Sequence, residues 1–590
     1  MTDEERDDVD VVIVGAGPTG LSLANLLGLQ GVSVTVLEAL PSLIDYPRGV
    51  GIDDESLRSL QTMGLVDLAL PHTTPSHIMR LVNGAGRQIT EIRPTTDEFG
   101  WSRRNAFIQP EVDRVLYEGL DRFPHVDVRF GHTVEAIADD DRGVTVSGSA
   151  DDGGAFAIRA RYLVGADGGR SRVRKHIGVS FDGQSPSTRW LVIDVRNDPL
   201  GTPNIYLGGD PRRPYVSLGL PQALRRFEFM LFDDEADALV DDAAFLEKLL
   251  ASHVPDQATL DIVRARVYTH HSRIAGDFRR GRVFLAGDAA HLMPVWQGQG
   301  WNSGERDATN LAWKLAAVIT GRCDDRLLDT YTVERRDHAK AMVDLSTAFG
   351  RVVKPTNPVV AGLRDLAAST LNLLPSVRDH FAQMRYKPMP RYTAGVVVDA
   401  TTLAPGTSDA RVTSGLHVHR TAHIKDSPVG TQFIQPTVVT TDGEEKLLDD
   451  VIGYRWAVLH WGGNPETLFT PAQREDLRRL GAALVSLRPA VQCHRDAPED
   501  PDAIVAGDLG RLKAWFDERS VSVLIVRPDR FVAAATIPQL AGRAVEAVAR
   551  AVALREDAPV LAAVAAPVAS AALAASTAPA TPVAREKELA

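Results

Sequence analysis

Gly15, Gly17 and Gly20 stand at G-x-G-x-x-G spacing, and an acid, Glu38, follows one predicted strand later. These residue types suit a dinucleotide. Gly15 permits a tight turn, Gly17 lets the backbone approach a pyrophosphate, and Gly20 lets helix and strand pack closely. A helix opening at this turn directs unpaired N–H groups at phosphate oxygens. Glu38 can accept a hydrogen bond from an adenosine ribose hydroxyl.

Two more segments put an acid in a small-residue turn after an apolar run. One is Tyr162-Leu163-Val164-Gly165-Ala166-Asp167-Gly168-Gly169, with a basic run behind it. The other is Val283-Phe284-Leu285-Ala286-Gly287-Asp288-Ala289-Ala290-His291, continuing through Pro294 to Gly298, Gly300 and Asn302. Glycine at this density brings backbone N–H groups close to a flat or anionic ligand. Plainer readings stand beside these: Asp288 as a helix cap, Asp167 as a turn residue, Arg48 as a surface arginine, and His291 as a packing or capping histidine. His270 and His271 fall on a predicted strand, where only one of the two can face a cavity. No serine, cysteine or lysine sits in a nucleophile pattern, so the catalytic residues stay unassigned.

The elements that must position these groups are legible. Val11–Val14 is an uninterrupted apolar run of the kind buried in a parallel sheet. Leu21, Leu23, Ala24 and Leu27 recur at helical spacing, and Val32, Val34 and Val36 alternate as a second strand. The 590 residues allow two to four domains, with 44% hydrophobic and 24% charged residues, as in an ordinary globular chain. A net charge of -12 argues against general nucleic-acid affinity. Arg225-Arg226 and Arg279-Arg280 read as solvated faces. Two distant cysteines, Cys323 and Cys493, disfavour a disulfide framework, a zinc site and a dithiol centre, and with them a resident metal. The acidic start lacks a signal-peptide core, and no membrane span is legible, so a cytoplasmic location is expected.

A composition shift at Lys387–Pro390 places a boundary near residue 395. Downstream, Tyr454–Trp461 and Val521–Asp529 read as strands, and Pro471–Leu487 and Leu540–Leu554 as helices, giving a small α/β domain over 396–555. Residues 445–461 also read as a core strand pair. The stretch 556–590 is rich in Ala and Pro and reads as a disordered tail.

Taken together, G-x-G-x-x-G, A-D-G and A-G-D-A-A-H-x-x-P followed by G-x-G-x-N resemble the single-component FAD-dependent aromatic hydroxylases. Ile44–Glu55, Asp97–Trp101, Arg103–Pro110 and Pro294–Gly300 resemble more closely the branch acting on 3-(3-hydroxyphenyl)propionate and 3-hydroxycinnamate. The resemblance implies an α/β fold: a Rossmann-like FAD-binding domain over 1–395, interleaved with a β-sheet substrate domain at about 80–110 and 180–275, then a thioredoxin-like domain without redox cysteines. It implies FAD as cofactor, with NADH, O₂ and a small phenolic acid as co-substrates. Gly15, Gly17, Gly20 and Glu38 would hold the ADP half, Arg48 the phosphates or ribityl chain, and Gln109 the sugar end. Asp288 would accept from a ribityl hydroxyl, with Gly287 beside it in the cofactor site, and Asp167 would serve both nucleotides. Pro294, Gly298, Gly300 and Asn302 would line the isoalloxazine.

The expected reaction is ortho-hydroxylation to the 2,3-dihydroxy product. The carboxylate partner is sought among arginines of 185–270, with Arg189 and Arg225 as guesses. Two rival readings are a hydroxylase of another phenol or polyketide aromatic, and an FAD-binding protein without turnover. Packing or self-association is the expected work of the C-terminal domain.

Overall fold

The computed structural model describes residues 7–186, 188–254, 256, 260–398, 427–494 and 503–559. Residues 560–590 of the expected tail lie outside the described residues.

The first strand, Asp7–Val14, is flanked in parallel by Val34–Leu37 and Ala155–Gly165. Val126–Arg129 and Val283–Leu285 extend the parallel sheet on either side. Both faces are covered, which is why Val11, Val12 and Ile13 need no polar alternation. The helix Pro18–Gly28 packs on one face, beside the long helix Gly300–Ile319.

A second, seven-stranded sheet stands over this layer. Its order is Asp261–Thr269, Arg189–Arg196, Leu224–Leu231, Tyr215–Leu220, Ile205–Gly209, Met79–Asn83 and Gln88–Ile92. Most pairs are antiparallel; Ile205–Gly209 with Met79–Asn83 is parallel. Strands from two distant stretches therefore build one wall.

The third sheet, near the C-terminus, has Ala457–Trp461, Ala483–Pro489 and Ile504–Asp508 in parallel, with antiparallel strands at both edges. Its core is continuous with that of the first layer: Trp456, Val458 and Ile525 pack in one apolar cluster with Leu311 and Trp313.

Four local expectations need correction. The helix expected over 471–487 ends at Leu480, because Gly481 takes φ +71° and a strand begins at Ala483. Residues 445–461 are not a strand pair: Glu445–Leu447 pairs elsewhere, and a short helix, Leu448–Ile452, intervenes. His270 and His271 lie in the turn between the strands Asp261–Thr269 and Ser272–Ala275. Arg225 and Arg226 are buried, not solvated. Each meets an aspartate of its own, Asp198 for Arg225 and Asp194 for Arg226.

Candidate active site

The glycine turn forms because its sterics leave no alternative. Gly15 has φ +108°, and a Cβ there would lie 2.4 Å from the Ala166 carbonyl oxygen. A Cβ on Gly20 would lie 2.1 Å from the Gly15 oxygen. Gly17 differs: a Cβ there would meet nothing within 4 Å. The helix Pro18–Gly28 starts at this open spot and carries no side-chain cap on its first N–H groups. An uncapped helix start facing open space fits a phosphate.

A single cavity begins at Gly17–Thr19 and continues past Arg48, Gln109 and Asp288 to Gly298 and Gly300. From there it opens beneath the second sheet, against Met79, Ile205, Leu207, Val216 and Leu218, with Trp296 closing one side. It thus has a polar limb suited to an anionic nucleotide and an apolar chamber suited to an aromatic ring.

Six of the expected residues line it: Gly17, Arg48, Gln109, Asp288, Gly298 and Gly300. The others stand one layer back. Gly15 and Gly20 shape the turn. Glu38 accepts from the Ala16 N–H at 2.9 Å and from the Leu40 N–H at 2.9 Å, tying the second strand to the glycine turn. Gly287 packs on Thr19, where a Cβ would lie 2.6 Å from the hydroxyl. Pro294 is buried between Met293 and Val295, which do line the cavity.

Asp167 caps the helix Arg172–Ile177, accepting from Ser171 Oγ and from the N–H groups of Arg172 and Val173. Its flanking residues Ala166 and Gly168 face the cavity instead. Asn302 is buried and fully engaged. It accepts from the Asp53 N–H at 3.0 Å and Ser56 Oγ at 2.8 Å, and donates to the carbonyls of Gly51 at 3.0 Å and Gly298 at 2.6 Å. Its side chain pins the two loops that meet at the cavity floor. Gln109 Oε1 likewise accepts from the N–H groups of Arg48 at 3.0 Å and Gly49 at 2.5 Å, fixing the Arg48 loop.

His291 is a buried structural group. Its Nε2 lies 2.8 Å from Asp307 Oδ2, and Asp307 also accepts from the Gly287 N–H and from Arg335 Nε. His270 packs against Trp190 and Trp296, and burial pushes its pKa down to about 3. His271 turns to Ser185. Among the described residues, the carboxylates of Asp53, Asp54 and Glu55 come close enough together to hold a metal ion. Arg306, Lys387 and Arg103 already meet their charges.

The two guessed arginines do not reach the cavity. Arg189 pairs with Asp237 at 2.5 Å and donates to the carbonyls of Phe232 and Glu235. Arg225 is paired with Asp198 and donates to Ser217 Oγ at 2.9 Å. Two charged residues without an expected role do line it: Glu228 and Arg104. Glu228 Oε2 accepts from the Tyr268 hydroxyl at 2.7 Å, and Tyr268 in turn lies 3.2 Å from His270 Nε2. Burial raises the Glu228 pKa above the ordinary carboxylate range, against the pull of Arg226. No spacing signal marks these two residues, because each comes from a strand or loop of a different part of the chain.

Residues 8–346 match the FAD binding domain family, and residues 430–574 the HcaD C-terminal domain family. A 3-(3-hydroxy-phenyl)propionate/3-hydroxycinnamic acid hydroxylase of Mycobacterium avium (strain 104) is 52% identical, over 90% of each chain. One of the same name from Klebsiella pneumoniae (strain 342) is 48% identical, over 91% of this chain and 94% of its own. Among solved structures, the flavin-dependent monooxygenase PieE in complex with FAD and substrate superposes with TM-score 0.75 at 22% identity, covering 93% of this chain and all of that one. OxyS anhydrotetracycline hydroxylase from Streptomyces rimosus superposes with TM-score 0.69 at 25% identity, covering 92% and 99%. With an FAD binding domain over more than half its length and such relatives over nine-tenths of it, the chain belongs to the FAD-dependent aromatic hydroxylases, in the group of the 3-(3-hydroxyphenyl)propionate/3-hydroxycinnamic acid hydroxylases.

Proposed function

We propose that this flavin monooxygenase takes NADH and O₂ and hydroxylates 3-(3-hydroxyphenyl)propionate, and its 3-hydroxycinnamate analogue, next to the phenol hydroxyl, acting in the cytoplasm. The observation that carries the reading is the single cavity joining the uncapped helix start to an apolar chamber with Glu228 on its wall. FAD, when bound, would supply the redox chemistry: hydride from NADH, one oxygen atom of O₂ to the ring and the other released as water.

The chain's own groups do the rest. The N–H groups of Gly17 and Thr19 bind the pyrophosphate, while Glu38, at the end of the second strand, holds the glycine turn on the adenosine side. Asp288 serves a ribityl hydroxyl, and Gly287 behind it packs on Thr19. Arg48 lies over the polar limb, its loop held by Gln109. Asp167, through its cap, fixes the Ala166–Gly168 turn beside the nucleotide. The loop from Pro294 to Gly300 presents backbone N–H groups to the ring system, and Asn302 keeps that loop rigid. N–H donors aimed at a ring that gains negative charge stabilise it. The apolar walls exclude water from the reacting ring. Glu228 Oε1 has no partner among the described residues and takes the phenol proton, which makes the ring more electron-rich. Tyr268 holds the other oxygen in place.

The test is NADH oxidation by the FAD-loaded protein with and without 3-(3-hydroxyphenyl)propionate, with product mass measured. Substrate-dependent oxidation with gain of one oxygen is the expected result. Oxidation that yields only hydrogen peroxide moves the reading to another phenol.

A further inference from the structure

We infer that Arg104 is the anion receptor of the apolar chamber, binding the carboxylate of an aryl-alkanoic acid whose ring lies beneath the second sheet. The inference rests on the proposed substrate class and assigns the group that selects it.

Arg104 is half-buried and stands out among the arginines around the cavity. Its chain neighbour Arg103 meets Asp54, Arg226 meets Asp194, and Arg306 meets Asp53 and Glu55. Arg104 lines the cavity, yet no carboxylate among the described residues lies within 4.0 Å of it. Its Nε is shielded from solvent and has no hydrogen-bond partner. Leaving a guanidinium charge unpaired in an apolar site is costly, and the arrangement persists where a ligand brings the anion.

Its surroundings also hold one unpartnered donor. The amide nitrogen of Gln297 is buried and unpartnered, and Gln297 Oε1 accepts from the Tyr386 hydroxyl at 3.4 Å. Burial drives the Tyr386 hydroxyl up to about 12, against the pull of Arg104, so it stays protonated and keeps its proton on Gln297. The backbone is held in place: the Arg104 carbonyl accepts from the His77 N–H at 2.9 Å, and the strand Asn105–Phe107 follows at once. Glu228 lines the same cavity without pairing with Arg104. One cavity thus keeps a free cation and a free carboxylate oxygen apart. That suits a ligand with an acid at one end and a phenol hydroxyl at the other. A planar guanidinium can grip a carboxylate with two parallel bonds.

The test uses FAD-loaded protein without NADH, and calorimetric titration with 3-(3-hydroxyphenyl)propionate and with its uncharged primary amide. For Arg104→Gln, binding of the acid weakens about 50-fold, while binding of the amide changes less than about 3-fold. Arg104→Lys keeps the charge but loses the fork, and weakens the acid about 5- to 10-fold. If Arg104→Gln fails to retain FAD, the acid-to-amide ratio of Arg104→Lys decides. Equal weakening of both ligands, or of neither, overturns the assignment. Product analysis on the unsubstituted enzyme separates the two claims. Arg104-dependent binding without hydroxylation removes the reaction and leaves the receptor. Hydroxylation that survives Arg104→Gln with unchanged affinity removes the receptor and leaves the reaction. An unsubstituted enzyme that binds neither ligand removes both.

Discussion

At the scale of single residues, burial raises the pKa of two glutamates, Glu305 and Glu228, whose neighbours differ. Among the described residues, no cation pairs with Glu305. Ser22 donates to one oxygen at 2.8 Å, the other is unpartnered, and Asp113, Asp53 and Asp307 surround it. Burial and these acids push its pKa up to about 8. An unfolded glutamate releases its proton near pH ~4.3, so between that value and about pH 8 the folded state holds the extra proton. Stability from this group therefore falls as pH rises through that window. Glu305→Gln is expected to match the parent in urea unfolding at pH 5 and to exceed it at pH 8.5 by on the order of 2 kcal/mol. Glu228 instead has a tyrosine donor and a nearby guanidinium, which favour its charge. As the acceptor of a phenol proton, its replacement in Glu228→Gln lowers kcat about 100-fold. A ring-fluorinated substrate with a more acidic phenol recovers most of that loss. Equal loss on both substrates, measured by product formation, removes the proton-accepting role.

At the scale of elements, the glycine turn makes two distinct predictions from one motif. Gly17 faces open space with φ -76°, which any residue adopts. Gly17→Ala keeps the fold, with apoprotein Tm within about 2 °C, because the new methyl meets no protein atom. The methyl stands where a pyrophosphate approaches, and FAD affinity falls at least about 10-fold. Gly20→Ala drives a Cβ against the Gly15 oxygen, so strand and helix must separate, and both Tm and FAD retention fall. Thermal unfolding with and without FAD distinguishes the pair. A Gly17→Ala protein that binds FAD normally moves the pyrophosphate elsewhere.

At the scale of the whole molecule, the helix Gly300–Ile319 connects the cavity to the C-terminal domain. Its first residues line the cavity, while Asn310 and Trp313 meet Asp529 of that domain. There Arg527 binds Glu334 at 2.7 Å and Asp529 at 2.6 Å, all three buried, and Lys314 binds Glu334 at 2.7 Å. Trp313 and Trp456 meet edge to face across the junction. Arg527→Leu leaves two carboxylates buried with too little positive charge, costing about 4 kcal/mol. Urea unfolding followed by tryptophan fluorescence reads this directly. Because the core runs through the junction, we expect one earlier transition, not a separate release of the C-terminal domain.

The local parts of this protein were written in short-range pattern. An apolar run, three glycines and an acid specify the nucleotide turn, because each constraint is a backbone clash or a helix start within a few residues. Asn302 and Asp167 were legible by position, but their tasks were not: whether a side chain faces a ligand or a neighbouring loop depends on partners far away, such as Gly51 for Asn302. Charge in sequence was a poor guide to exposure, as Arg225 and Arg226 show. Only tertiary structure supplied the acids that bury them, and only it joined Arg104 from one stretch with Glu228 from another on the walls of one cavity. Such a wall is made by strand pairing between distant segments, and no spacing along the chain records it.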